Sequence, residues 1–208
     1  MIFTLANDDI YRGLYINCLL FSEKYYISGD KLEMKCKLRE LRETDLKYMM
    51  EWMHDPIISK NFRSETISQS ETEVLKYINN SKYEIVDGAS IHYAVVDERD
   101  IYLGTISLKN INLLHNNAEY AIVLRRCAQR KGIGTAATYL ILEKAFKELG
   151  LEYVYLNVLT DNFHAIKFYE RMGFRFDGIT KNYFKIDGRL HDVKWYKYFK
   201  NDFNMVVY

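Results

Sequence analysis

The residues Gln129-Arg130-Lys131-Gly132-Ile133-Gly134 connect two stretches of contrasting pattern. Before them, residues 118–124 are predicted to form a strand. After them, residues 133–149 repeat apolar side chains with helical spacing and end at Gly150, where a helix C-terminal glycine belongs. Glycines at the start of a helix let backbone amides approach an anion, and the helix N-terminus adds partial positive charge. The loop therefore predicts an anion-binding site between a strand and a helix.

Two well-known anion-binding loops do not match these residues. A Walker A loop requires Lys and then Ser or Thr after its last glycine, whereas Gly134 is followed by Thr135-Ala136. A dinucleotide fingerprint requires a third glycine and an acidic residue after the next strand, and neither is correctly placed. The loop alone therefore leaves two interpretations open, a pyrophosphate site of another kind and a plain glycine turn before a helix.

The flanking patterns predict a chain of alternating strands and helices. Ser70 and Glu73 form a capping box, which marks a helix N-terminus, and Asp187-Gly188 is a typical hairpin turn. The other predicted elements are a strand at 34–41, a helix from Leu46 that stops before Asp55-Pro56, strands at 91–96, 102–108 and 152–159, a short helix at 162–172, and strands at 174–186 and 189–198. This order predicts α/β (α+β) content, with a mostly antiparallel mixed sheet, flanking helices and one central βαβ unit.

Composition excludes several classes of function. The formal net charge is +1, so no basic face for nucleic acid is expected. The longest apolar run, 13–21, is about half of the ~20 residues that a membrane span requires. Cys18, Cys36 and Cys127 show no metal-type spacing and suit a reduced chain. We expect a soluble cytoplasmic protein with no metal, no nucleic-acid partner and no membrane contact.

A second motif narrows the interpretation of the loop. It is Asn162-Phe163-His164-Ala165-Ile166-Lys167-Phe168-Tyr169-Glu170-Arg171-Met172-Gly173-Phe174, after the next predicted strand. Here the chain resembles the GNAT superfamily of N-acetyltransferases, whose signature pairs a Gln/Arg-x-x-Gly-x-Gly/Ala loop with an Asn-x-x-Ala-x-x-Phe-Tyr-x-x-x-Gly-Phe segment. The resemblance covers about residue 34 to the C-terminus. Residues 118–120 and 51–56 look like the RimJ/RimL-like branch, which includes ribosomal-protein alanine acetyltransferases and acetyltransferases of nucleotide-linked amino sugars.

This resemblance implies the GNAT acyl-CoA N-acyltransferase fold and acetyl-CoA as co-substrate. In that fold the strand before the loop and the strand after the helix splay apart, and the pantetheine arm enters the gap. The residues implied to contact acetyl-CoA are Ile122, Val123 and Leu124 for the pantetheine, Gln129 and the loop amides of Arg130, Lys131, Gly132, Ile133, Gly134 and Thr135 for the pyrophosphate, and Asn162 near the thioester.

The resemblance also implies direct attack of a free amine on the acetyl carbonyl. An alkylammonium with a pKa near ~10 must first lose a proton, and the departing thiolate gains one. Tyr169 matches the tyrosine that protonates the sulfur, although an isolated tyrosine there would suit core packing. Glu119 is the candidate base, with a structural ion pair as an equally good alternative, and His92 and His164 are further candidates.

The acceptor amine is the least determined part of the interpretation. The resemblance favours a nucleotide-linked amino sugar, with a protein N-terminus, a polyamine or an antibiotic as alternatives. A module that binds acyl-CoA without transferring the acyl group is a further alternative. The acceptor pocket is expected near residues 52–63, where His54 and Asp55 would shape it, and near residues 187–191.

The predicted domain organisation has three parts. Residues 33–203 form the acetyltransferase domain, and 204–208 form a tail. Residues 1–32 are rich in Tyr, Leu and Ile without a clean period, so extra strands or a dimerisation arm are the alternatives. A homodimer is therefore possible.

Overall fold

The computed structural model describes residues 25–27, 30–32, 35–62, 67–81, 86–203 and 205–207. The main strands are β3 (Lys37–Glu40), β4 (Ile91–Val96), β5 (Tyr102–Asn112), β6 (Asn117–Leu124), β7 (Tyr153–Leu159), β8 (Arg175–Ile186) and β9 (Arg189–Phe199). The helices are α1 (Leu46–Met53), α2 (Pro56–Ser59), α3 (Glu71–Asn80), α4 (Ile133–Glu143) and α5 (Phe163–Met172). A short sheet adds β1 (Tyr25–Ile27), β2 (Asp30–Leu32) and β10 (Met205–Val207).

The seven main strands form one sheet in the order β3-β4-β5-β6-β7-β9-β8. All neighbours are antiparallel except β6 and β7, which run parallel because α4 crosses over between them. The predicted mostly antiparallel sheet, flanked by helices around one βαβ unit, is confirmed. The capping box is confirmed too, since Ser70 Oγ accepts the amide of Glu73 and the Glu73 carboxylate accepts the amide of Ser70.

Some element boundaries differ from the prediction. The strand expected at 102–108 continues to Asn112, because an irregularity in the β5–β6 register restores pairing between Asn112 and Asn117. The polar residues Lys109 and Asn110 conceal this extension in the sequence. The helix expected over 133–149 ends as an α-helix at Glu143 and continues as a wider turn over Lys144–Glu148.

The helices cover the sheet on two opposite faces. On the first face, α4 and α5 pack against Ile122 and Leu124 of β6. On the second face, α1 and α3 pack in a separate cluster that includes Val123. Successive strand residues point to opposite faces, so neighbouring residues of β6 are presented to two different environments.

The separation of β6 from β7 creates the opening in which a substrate could lie. The two strands pair only over residues 117–119 and 153–155. Beyond that point β6 stays paired with β5 as far as Leu124, and β7 stays paired with β9 as far as Leu159. The strands therefore diverge from a closed end, here called the apex, into an open gap, as the predicted splay requires.

The terminal segments contribute to the short sheet, with β1 between β10 and β2. Strand β10 lies in the predicted tail, and β1 and β2 lie in the predicted extension. Residues 1–24 of that extension lie outside the described residues, and the domain boundaries and the homodimer stay predictions. None of the described helices is both long and apolar enough to cross a membrane.

Candidate active site

The glycine loop is shaped by two residues with left-handed backbone. Gly132 has φ +81° and forms the N-cap of α4, and Arg130 has φ +58°. Ile133, Gly134 and Thr135 follow as the first helical residues, whose amides have no acceptor within the helix. Within the described residues no side chain caps them. The amides at this helix start therefore suit an anion such as a pyrophosphate.

Gln129 closes the loop onto the end of β6. Its Nε2 donates to the carbonyl of Leu124 at 3.0 Å. Because this contact fixes the loop to the strand that borders the gap, Gln129 holds the shape of the site. Its predicted direct contact with the co-substrate stays a prediction.

The hydrogen-bond phase of β6 decides which of its backbone groups face the gap. The amide of Arg125 donates to Leu103 at 2.8 Å, and bonded pairs alternate with non-bonded pairs along an antiparallel ladder. By this alternation Val123 directs its backbone groups towards β5, whereas Ile122 and Leu124 direct theirs towards the gap. The register therefore makes the backbone groups of Ile122 and Leu124 available to a ligand in the gap, and the predicted pantetheine contacts of Ile122, Val123 and Leu124 stay predictions.

A close approach between β5 and β6 holds this arrangement. A Cβ on Gly104 would lie 2.2 Å from the carbonyl oxygen of Val123 and 2.9 Å from the Cα of Leu124. Any side chain at this position would push the two strands apart. Gly104 therefore keeps β6 tight against β5, on the side away from the gap.

The loop is also tied to the apex from inside the protein. Thr138 of α4 donates to the carbonyl of Gly134 at 2.7 Å and shares a 2.8 Å hydrogen bond with the hydroxyl of Tyr120. Phe168 lies beside Gly134, with its Cζ 3.4 Å from the position of an added Cβ. Sequence reasoning had assigned no role to Thr138 or Phe168, because their partners lie on other elements.

Tyr169 lies on the α4–α5 face at the apex. It is buried, and its ring makes an edge contact with Tyr120 at 6.1 Å between centroids and another with Phe174 at 5.6 Å. Burial raises the pKa of Tyr169 to about 12, so its hydroxyl stays protonated at neutral pH. Its ring thus packs in the core, as the simpler interpretation expects, and its hydroxyl can donate a proton.

Glu119 lies on the opposite face of the same apex. It precedes Tyr120 in β6, so its side chain points away from α4 and α5. Lys109 Nζ contacts its carboxylate at 2.6 Å, and Asn110 Nδ2 donates to the other oxygen at 3.2 Å. Across the parallel pairing Glu119 is adjacent to Tyr155. The structure thus contains the ion pair, and the role of Glu119 as the base stays a prediction.

Tyr169 and Glu119 thus flank the point where β6 and β7 separate, one on each face of the sheet. A thioester lying in the gap would have a proton donor on the sulfur side and a carboxylate on the side open to an amine. This division of a donor and an acceptor matches the two proton movements of amide formation.

Asn162 and His164 have more ordinary roles in the structure. Asn162 is the N-cap of α5, and its side-chain oxygen accepts the amide of Ala165 at 3.2 Å. Its predicted contact near the thioester stays a prediction. His164 lies on the exposed side of α5, beside a hollow of about 600 Å³ lined also by Lys167 and Arg171. This exposed position disfavours His164 as the base.

His92 is also poorly suited to act as the base. Its Nδ1 shares a 2.8 Å hydrogen bond with Ser107, and its ring lies 4.9 Å from that of Tyr77. Burial, with the positive charge of Lys109, lowers the pKa of His92 to about 4. The ring is also held on β4, which β5 separates from β6 and the gap.

Two ion pairs connect the α1–α2 region to the residues between β6 and the glycine loop. Arg125 contacts Glu51 at 2.6 Å, and Arg126 contacts Asp55 at 3.2 Å. Asp55 also caps α2 by accepting the amide of Ile57. Asp55 was expected to shape the acceptor pocket, and its carboxylate is engaged in these two contacts.

Lys35 and Cys127 complete the surroundings of the loop. The Cδ of Lys35 lies 3.8 Å from the position of a Cβ added at Gly132, so this side chain borders the loop although no local motif indicated it. Cys127, two residues before Gln129, is exposed. The described residues include no group of three or more His, Cys, Asp or Glu side chains arranged to hold a metal ion.

Comparison with known proteins supports the chemistry that this geometry indicates. Residues 35–175 match the model of the acetyltransferase (GNAT) domain family. The chain is 31% identical over 160 residues, or 76% of its length, to a spermidine N(1)-acetyltransferase of Vibrio cholerae, of which 88% is covered. It is 28% identical to the Escherichia coli spermidine N(1)-acetyltransferase, with 76% of this chain and 82% of the relative covered.

A solved structure agrees with these relatives. The Vibrio cholerae spermidine N-acetyltransferase in complex with CoA and spermine superposes with a TM-score of 0.72 at 28% identity. The match covers 81% of this chain and 98% of that one.

The lowered pKa of His92 predicts that the stability of the folded protein depends on pH. In the unfolded chain His92 takes up a proton near its ordinary pKa of 6.5, but in the folded chain only near pH 4. The unfolded state therefore binds more protons in this interval, and stability falls as pH falls. From pH 7 to pH 5 we expect His92 to lower the free energy of unfolding by about 2 kcal/mol.

Urea denaturation at pH 7 and pH 5 measures this contribution. His92→Gln should lose correspondingly less stability on acidification than the unsubstituted protein. His115→Gln, at an exposed position, controls for the loss of a histidine as such. Equal pH dependence in His92→Gln and the unsubstituted protein would show that His92 is not responsible.

Proposed function

This chain belongs to the GNAT acetyltransferase family and is an acetyl-CoA-dependent N-acetyltransferase, and from that premise we propose that it acetylates a primary amine of a polyamine such as spermidine. The observation that carries the proposal is the similarity to spermidine acetyltransferases over three quarters of the chain. These relatives favour the polyamine alternative over the nucleotide-linked amino sugar that the motifs had suggested.

The geometry at the apex supports direct transfer. The amine approaches from the Glu119 face, and the carboxylate takes a proton from the ammonium, directly or through water. The nitrogen lone pair then forms the C–N bond while the C–S bond breaks, and Tyr169 supplies a proton to the sulfur on the other face. The nitrogen loses its second proton as the amide forms, and this proton restores the Tyr169 hydroxyl by way of solvent, while Glu119 passes the first proton to solvent. The products are an amide and a thiol, with one net proton released to solvent.

The co-substrate would be held by groups already in place. The free amides at the start of α4 suit the pyrophosphate, and the gap-facing backbone of Ile122 and Leu124 suits the pantetheine arm. Because the Leu124 carbonyl already accepts from Gln129, Ile122 offers the freer pair of backbone groups. Lys35, Arg130 and Lys131 place positive charge around the phosphates.

A panel of acceptors tests the proposed function. Release of free CoA from acetyl-CoA should be fastest with spermidine or spermine and slower with a nucleotide-linked 4-amino sugar or a ribosomal-protein N-terminal peptide. Acetyl-CoA without acceptor sets the background. If the amino sugar releases CoA and the polyamines do not, the acceptor assignment is wrong. Binding of acetyl-CoA with no transfer to any acceptor would instead indicate a binding module.

Tyr169→Phe tests the sulfur-side proton donor. The substitution keeps the ring contacts with Tyr120 and Phe174 and removes only the hydroxyl. We expect kcat to fall by roughly 10²-fold or more, with the dissociation constant of CoA unchanged. Tyr139→Phe, on α4 beside Phe203, provides a matched control. Unchanged turnover in Tyr169→Phe would remove this residue from the mechanism.

A comparison of Glu119→Gln with Lys109→Met tests whether Glu119 acts as a base or only forms a structural ion pair. Both substitutions remove the ion pair between Glu119 and Lys109, but only Glu119→Gln removes the carboxylate. For a base we expect Glu119→Gln to lose about 10²–10⁴-fold in kcat/KM and to recover as rising pH deprotonates the amine. Lys109→Met should lose much less. Equal losses in the two variants, without recovery at high pH, would indicate a purely structural role.

A further inference from the structure

Three aromatic side chains extend from the apex along the face that carries Glu119. Tyr155 of β7 is adjacent to Glu119 in the parallel pairing. The ring centroid of Trp195 on β9 lies 6.3 Å from that of Tyr155, and the ring of Tyr183 on β8 lies 5.4 Å further on in an edge contact. Tyr155, Trp195 and Tyr183 are called the aromatic wall below.

The aromatic wall is fixed in place and remains open to solvent. Trp195 donates its indole N–H to Thr180 at 2.9 Å, which sets the orientation of its ring. A break in the β8–β9 register between Thr180 and Phe184 brings Tyr183 against Trp195. Tyr183 is 45% exposed, and Gly178, the sheet partner of Trp195, faces open space with no atom within 4 Å of an added Cβ.

The charges near the gap make aromatic recognition of a cation important. Beside the wall, the Glu119 carboxylate is already engaged in an ion pair with Lys109. Lys197, the sheet neighbour of Tyr155, is in turn paired with Asp177 at 2.9 Å. Both charges thus have a partner, and aromatic faces attract ammonium groups without requiring a free carboxylate.

We propose that the aromatic wall binds the second, non-reacting ammonium group of the acceptor and so determines its specificity. The reacting amine lies at Glu119, and the alkyl chain runs along Tyr155 towards Trp195 and Tyr183. Tryptophan is the aromatic side chain that attracts cations most strongly, so Trp195 contributes most. This inference rests on the proposed function, because it assumes an acceptor with at least two amines.

Trp195→Leu tests the wall by comparing spermidine with butylamine. Leucine retains an apolar side chain but offers no ring face to a cation. We expect kcat/KM for spermidine to fall roughly tenfold, mainly through KM, while kcat/KM for butylamine and KM for acetyl-CoA change little. Trp195→Phe should restore much of the loss. Phe176→Ala, which removes an exposed ring in edge contact with Tyr196 in the same hairpin, is the control and should leave the kinetics with both amines unaffected.

Tyr183→Leu keeps the test open when Trp195→Leu does not fold, because Tyr183 is largely exposed. It should produce a smaller loss of the same kind, for spermidine and not for butylamine. Equal losses for both amines, or no loss for either, would overturn the proposed role of the wall and leave the acetyltransferase assignment intact.

A direct measurement of spermine binding tests the proposed role of the aromatic wall independently of the proposed function. Calorimetric titration of the full chain with spermine, without acetyl-CoA, requires no turnover. Binding that weakens in Trp195→Leu supports the wall even when no polyamine is acetylated, in which case only the proposed function fails. Spermine affinity that is the same in Trp195→Leu and the unsubstituted protein overturns the wall.

Discussion

The brief pairing of β6 with β7 is the constraint on which the site depends. The strands share only residues 117–119 and 153–155, and each then follows its other neighbour. A backbone that leaves one partner exposes polar groups that must be satisfied. Here those groups border an opening between the two halves of the sheet. Tyr169 and Glu119 lie on opposite faces of the sheet at the point where the two strands separate.

The rest of the fold keeps that divergence in position. On one side Gly104 allows β5 to approach β6 so closely that no side chain would fit. On the other, seven consecutive residues of β7 pair with β9. The chain of hydrogen bonds from Tyr120 through Thr138 to Gly134 joins the apex to the start of α4. The loop that would hold phosphates and the apex where bonds would change are therefore one connected structure.

Much of this architecture could be predicted from the sequence because its signals are local. The glycine loop, the capping box at Ser70 and the hairpin turn at Asp187-Gly188 each occupy a few adjacent residues. The hydrogen-bond pattern that turns the Val123 backbone away from the gap is not local, since it depends on how β6 aligns with β5. The same holds for the Lys109 partner of Glu119 and for the aromatic wall, whose members come from three strands. The acceptor side was therefore the part that motifs could not determine.

The two ion pairs between the α1–α2 region and the end of β6 have an energetic consequence. Glu51 lies in α1 and Asp55 caps α2, whereas Arg125 and Arg126 lie between β6 and the glycine loop. In each pair one partner is about half exposed to solvent, so each contributes about 1 kcal/mol or less and is weakened by salt. The attachment of the α1–α2 region to the segment that precedes the loop therefore depends on ionic strength.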